Sequence, residues 1–262
     1  MDRELANAVE AVRAKYFSAD GTACDYAGLA QSCERRAIAA CLAALEDFDP
    51  RVLRIPAQTA FWLNAYNACV LRDVAELIAA SGVRHADGFF SRPRARIGGH
   101  PWSLDDVEHG LLRGNAPKYG RVIAPLKKSD SRLAFVPRSY DERMHFAMFS
   151  ACRSSPPLRA FRADELDSQL ETSARDYVAR TARVELDGAV VVLPKIFQWY
   201  ASDFGGPAGA LAFVLARIDD ERSIELVDRR RGLVRAKYAN FDWTLNMLKP
   251  SEKHHSAQAR TL

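Results

Sequence analysis

The stretch "AFWLNAYNACVL", residues 60–71, decides how this chain is read. Its apolar residues recur at helical spacing, yet Asn64 and Asn67 sit among leucines, aromatics and a valine. At about 100° per residue, Leu63, Tyr66, Val70, Val74, Leu77 and Ile78 fall in one arc. Asn67 lies inside that arc and Asn64 at its edge beside Leu71. A buried amide left without partners costs about 1–3 kcal/mol, and it has two donors and an acceptor to satisfy. The spacing therefore predicts a helix over Thr59–Ala80, ending near Gly82, whose amides hold something. They either tie the backbone of a neighbouring loop or orient a catalytic group or ligand.

Upstream, residues 3–17 repeat apolar groups at helical spacing, and a second helix is expected from Tyr26 to Phe48, stopped at Asp49-Pro50. Downstream, a turn-rich stretch leads to "SLDDVEHGLLRG", where Ser103 and Asp106 form a capping signal for a short helix to Arg113. Residues 114–138 read as basic, proline-punctuated loop with one short strand at Ala134–Val136. "MHFAMFSA" reads as a strand and "SSPPLRAF" as a loop. A helix over Asp164–Ala182 follows, with Leu166, Leu170 and Tyr177 on one face. Next come a hairpin of "RVELD" and "AVVVLP" around Asp187-Gly188, a short helix in "KIFQWYASDFGG", and a helix in "AGALAFVLARI". "SIELVD" and "VRAKYANFDWTL" are expected as strands or strand-to-turn segments, and Lys249–Leu262 as a polar tail. The expected fold is a single α/β or α+β domain, residues 1–248, with a small central sheet flanked by helices and a helical N-terminal part, residues 1–49.

Composition narrows the function classes. With 37 basic against 33 acidic residues, the net charge of +4 argues weakly for nucleic acid, and the one dense basic run, Arg229 to Lys237, reads as a solvated turn and strand end. No run approaches the roughly 18 apolar residues of a membrane span. The charged start lacks a signal-peptide apolar region, so a cytoplasmic protein with no nucleic-acid or membrane partner is expected. Five cysteines lack the spacing of a disulfide framework or structural zinc. No cofactor or metal is expected.

Two further places combine polar groups with apolar surroundings. On an α-helical wheel of "SLDDVEHGLLR", Glu108 falls near the centre of the apolar arc and His109 at its margin, so Glu108 should need a partner, Arg113 or Arg143. A strand alternation in "MHFAMFSACRSSPP" sends His145 to one side and Ser150 and Cys152 to the other. Small hydroxyl and thiol groups after a strand end, in a proline-stiffened loop, are where α/β sheets keep their chemistry. Cys152 or Ser155 could be a nucleophile if a base lay within reach.

These motifs, with "LPKIFQWYASDF" and "YANFDWTLN", occur in the order and at the separations of the family known as domain of unknown function 547. The resemblance runs from about residue 50 to residue 248. It maps onto Asn64, Tyr66, Asn67, Glu108, His109, Arg113, Asp141, Arg143, His145 and Pro156. It continues onto Lys195, Trp199, Tyr200, Asp203, Phe204, Asp242, Trp243 and Asn246. It implies no activity. Bacterial members read like "HFALxCGAKSCPP", with cysteines where this chain has Ser150 and Ser155, and the thiol nearest to hand here is Cys152.

The function expected is a hydrolase or acyl-transfer enzyme loosely like the papain and transglutaminase group. His109 or His145 would be base, with Ser150, Cys152 or Ser155 as nucleophile. Glu108 would orient, and Asn64, Asn67, Arg113, Arg143 and Lys195 would bind or position. The alternatives are a non-catalytic module binding a peptide or small molecule, and a metal-dependent hydrolase using His109 and His145. One imidazole within hydrogen-bond reach of a nucleophile in a cleft separates the first from the second.

Overall fold

Helix α4, Ile55–Ser81, is the element around which the rest is arranged. Every residue from Thr59 to Leu71 is buried. A helix enclosed on all sides belongs in the interior of a core rather than on its surface. The computed structural model describes residues 1–81, 88–138, 140–185, 190–221 and 234–248, with Glu225 and Arg229. Helix α1 (Asp2–Tyr16) packs on α4 through Leu5, Val9 and Val12, spaced to share one face. The second predicted helix is two, α2 (Tyr26–Ala30) and α3 (Cys33–Ala43). Between them Ser32 turns the chain and caps α3, its hydroxyl accepting from Arg35 N at 3.0 Å.

The chain adopts the mixed α/β class read from the sequence, with its strands divided between two small sheets. Strands β1 (Pro93–Ile97) and β2 (His100–Ser103) form an antiparallel hairpin. Strands β3 (Arg183–Glu185), β4 (Val190–Leu193) and β5 (Arg235–Tyr238) form a sheet in that order, with β3 antiparallel and β5 parallel to β4. Helix α5 (Leu166–Thr181) matches expectation and buries Leu166, Leu170 and Tyr177. Helix α6 (Ile196–Trp199), a 3-10 turn over Ala201–Phe204 and α7 (Gly206–Leu215) follow β4. The end expected near Gly82, the Asp187-Gly188 turn and the tail from Lys249 lie outside the described residues, as does "SIELVD" except Glu225. No described helix is long and apolar enough to cross a membrane.

Two hydrophobic cores result. One gathers α1–α4, the β1–β2 hairpin and the start of α5, the other the rest of α5, β4, α6 and α7. Residues 142–156 thread the seam, with Met144, Ala147, Met148 and Phe149 in the first core and Phe146 in the second.

That segment corrects the sequence reading. "MHFAMFSA" is not a strand. Glu142–Phe146 is a 3-10 helix capped by Asp141, and the chain then runs irregularly through Ala151, whose φ of 55° is left-handed. Ala134–Val136 is likewise no strand, because Ser131–Phe135 is a 3-10 helix. Buried backbone must find hydrogen bonds, and here α4 supplies them from its side chains. Asn67 Oδ1 accepts from Phe149 N at 2.9 Å, while its Nδ2 donates to Ala147 O at 3.1 Å and Arg159 O at 3.4 Å. Asn64 does the same for Phe161, N–H to Oδ1 at 2.9 Å and Nδ2 to carbonyl at 2.7 Å. The amides replace the neighbouring strand that a β-segment would need.

Candidate functional site

A cleft of about 70 Å³ opens at the seam between the two cores. It is lined by Glu108 and His109 from one side, His145 and Ser150 from the threading segment, and Tyr200 from the end of α6. Tyr66, Tyr119, Trp199, Phe241 and Trp243 complete an aromatic wall, with Trp199 stacked on Tyr119 at 4.7 Å between ring centres.

Glu108 and His109 arrive on a helix that starts as predicted and then winds differently. Ser103 and Asp106 make the reciprocal cap, Asp106 N donating to Ser103 Oγ and Ser103 N to Asp106 Oδ2, both at 3.0 Å. From Asp106 to Leu112 the helix is π-type, and Arg113 N bonds to Glu108 O at 2.9 Å, five residues back. The wider turn shifts the α-helical wheel. His109, expected at the margin, is drawn inward and is 1% exposed, whereas Glu108, expected at the centre, is largely buried and opens on the cleft.

Asp203 is the hub of the charges. Its carboxylate accepts from Arg113 Nε at 2.5 Å and Nη2 at 2.8 Å, and from His145 Nε2 at 2.9 Å. Burial raises its pKa, but Arg113 and His145 outweigh that and hold it well below the ordinary carboxylate range. Arg113 Nη1 also lies 3.1 Å from His109 Nδ1. A guanidinium only donates, so Nδ1 accepts and the ring proton sits on Nε2, on the side of Asp105 Oδ1 3.8 Å away. Burial, helped by Arg113 and Lys118 and opposed by Glu108 and Asp105, pushes the His109 imidazole below its ordinary value. Arg113 thus fixes the tautomer of His109, and burial, with help from Arg113, favours its neutral state.

The expected partners of Glu108 are not those found. Arg113 is committed to Asp203, and Arg143 pairs outside the cleft with Asp141 at 2.7 Å and Asp167 at 2.6 Å. Glu108 Oε1 instead accepts from the Tyr200 hydroxyl at 2.6 Å. Burial raises its pKa, but His109 in its protonated form, that hydroxyl, His145 and Arg113 act against this and keep it below the usual range. The carboxyl is ionised at neutral pH. The Tyr200 ring stacks on His145 at 4.1 Å between centres and carries the Arg113 guanidinium at 4.8 Å.

Neither imidazole is hydrogen-bonded to Ser150, Cys152 or Ser155. Ser155 Oγ is occupied, accepting from Ser150 N at 2.8 Å and donating to Pro156 O at 2.9 Å. Cys152 is buried, its Sγ 3.3 Å from Ser150 Oγ, and burial pushes its thiol up to about 11. Ser150 reaches the cleft, beside the left-handed Ala151. His145 Nδ1 is buried with no hydrogen-bond partner. Lys195 lines a different cavity, and Asn64 and Asn67 serve backbone. Among the described residues no group of three or more His, Cys, Asp or Glu could hold a metal ion.

The α4 amides, the Glu108-His109 turn and the threading segment therefore form one structural unit. Residues 50–178 match the model of the family described as "Protein of unknown function, DUF547". The chain resembles DUF547 over α4, the π-helix, the threading segment and most of α5. No curated protein and no solved structure matches the chain. Tyr200 and Asp203, which complete the cleft, lie beyond the DUF547 match. Residue-by-residue reading of the sequence missed Asp203, Tyr200 and Tyr119. The resemblance named the first two, but a 3-10 turn of four residues has no periodicity that would mark Asp203 as buried.

Proposed function

We propose that the cleft binds the head group of a small ligand without forming a covalent bond to it, and that the preferred head group is cationic. The observation that carries this reading is the engagement of both imidazoles by Arg113 and Asp203 rather than by a nucleophile. Base and nucleophile within hydrogen-bond reach are what an acyl-transfer site is built around. The volume sets the size. About 70 Å³ exceeds the roughly 10–15 Å³ one water needs, yet it is well under the roughly 300 Å³ of a drug-sized pocket. One head group fits, with the remainder of the ligand outside. Charge sets the sign. Asp105 is paired with Lys118 at 2.8 Å, leaving ionised Glu108 among aromatic faces, which attract cations. Five free cysteines support a reducing, cytoplasmic setting.

Titration calorimetry with tetramethylammonium and with guanidinium, at matched ionic strength, tests this. Saturable binding that weakens about tenfold or more in Glu108→Gln is expected. No binding, or binding indifferent to Glu108, would overturn it. A second reading, hydrolase or acyl transfer, is favoured by Ser150 sharing the cleft with His145. Its mark would be a fluorophosphonate adduct on Ser150, seen by intact mass and lost in His145→Ala.

A further inference from the structure

Strands β4 and β5 run parallel, and both end at one edge of their sheet, at Leu193 and Tyr238. Ala239 N donates to Leu193 O at 2.8 Å, so the two chains leave the sheet together. Beyond their carboxyl ends lies a second cavity, of about 330 Å³, distinct from the cleft and sharing only Phe241 with it. In sheets with parallel strands this is the crevice where ligands settle. The volume is at the low end of ligand pockets, roughly 300–1,000 Å³.

Four cationic side chains converge on it, Arg153, Arg180, Arg183 and Lys195, against one carboxylate among the described residues that line it, Asp242. Asp242 is 3.9 Å from Arg153, and both are exposed. Arg183 and Lys195 meet no carboxylate among the described residues. Arg180 is pinned in place, donating to Arg153 O at 3.3 Å and Ser155 O at 2.5 Å. The carboxyl end of α5 also faces this region and contributes about half a negative charge. Together with Asp242, and with Asp20, which acts on Arg180 from outside the cavity, it does not cancel four cations. A concave, convergent set of guanidinium forks and an ammonium suits a compact oxyanion, which arginine binds through paired donors.

We propose that this cavity is a second site, independent of the cleft, that takes a phosphoryl oxyanion, either inorganic phosphate or the phosphate of a small monoester. The test is titration of the full chain with inorganic phosphate, glycerol phosphate and a single-stranded oligonucleotide, with chloride holding ionic strength constant. It is run on wild type and on R183Q/K195Q, both exchanged side chains being at least partly exposed. Saturable phosphate or monoester binding in wild type, weakened about tenfold or more in the double variant, is expected. Tighter binding of the monoester would identify an esterified ligand, and equal binding the free ion. The proposal fails if phosphate does no more than chloride, if the double variant binds as wild type does, or if only the oligonucleotide binds. Circular dichroism checks that the double variant folds, and either single variant carries the same test if it does not. Glu108→Gln serves as the control that should leave phosphate binding unchanged.

Discussion

Two buried polar clusters lie within a few turns of each other, and they are built on opposite principles. Asn64 and Asn67 meet backbone partners with both ends of each amide, so nothing in that cluster is left to react. The charged cluster of Glu108, His109, Arg113, His145 and Asp203 is bonded almost entirely to itself, borders a cleft, and leaves His145 Nδ1 without a partner. A closed amide network makes an irregular segment affordable inside a core. An open ionic network costs stability and presents charge to whatever enters. The lesson is that buried polarity alone does not mark a site. What distinguishes one is polarity that remains unsaturated.

The comparison breaks most severely at the hub. Asp203→Ala removes the carboxylate from Arg113 and His145 and leaves a buried guanidinium uncompensated, at a cost of about 3–5 kcal/mol. Thermal unfolding should show a fall in melting temperature on the order of 10 °C. A fall of a degree or two would mean that the charges are already solvated. Asn67→Leu comes next. It strands Phe149 N and Ala147 O at about 1–3 kcal/mol each, with some return from the added apolar area. Denaturant titration should show this loss while head-group binding in the cleft survives in the folded fraction. If binding vanishes with the fold intact, the amides belong to the site after all.

Acid separates the clusters by a smaller margin. The folded state holds His109 neutral, so His109 contributes stability that is complete above its unfolded pKa of about 6.5 and is lost as pH falls through the lower folded value. Asp203 adds a second loss, which begins below its unfolded value of about 3.9. Stability measured between pH 7 and 5 should therefore decline in wild type and decline less in His109→Gln, whose amide oxygen can still accept from Arg113. Equal slopes would remove His109 as the source. The smallest effect belongs to Arg143→Ala. Its ion pairs lie outside the cleft at the surface, where such pairs are worth about 0–1 kcal/mol, so stability should shift within that range and binding should not change.

Much of this was legible in the sequence. The α4 pattern, the burial of Asn67, the Ser103-Asp106 cap, α5 and the β3–β4 pairing all follow from local spacing, which local hydrogen bonds and one core face enforce. The failures share a cause. "MHFAMFSA" has strand composition, but its hydrogen bonds come from side chains some 80 residues earlier in the chain. No local pattern encodes that. His109 was placed at the margin because a wheel drawn for α geometry was laid on a π-helix. Asp203 escaped because its partners lie 58 and 90 residues away.

The π-helix carries a consequence for how this chain can change. A turn closed five residues back contains one residue more than an α-turn, as an insertion into an ordinary helix would leave it. Deleting a single residue between Asp106 and Leu112 would restore regular winding while the residues after it keep their direction, because a wide π-turn and an α-turn one residue shorter sweep about the same angle. Arg113 would stay on Asp203, and the change would fall on the turn itself, on how Glu108 meets the cleft and how far His109 is drawn inward. A change of length here is absorbed where it is made. Among descendants of this sequence, loss of one residue between Ser103 and Arg113 should alter the cleft more than the stability of the fold.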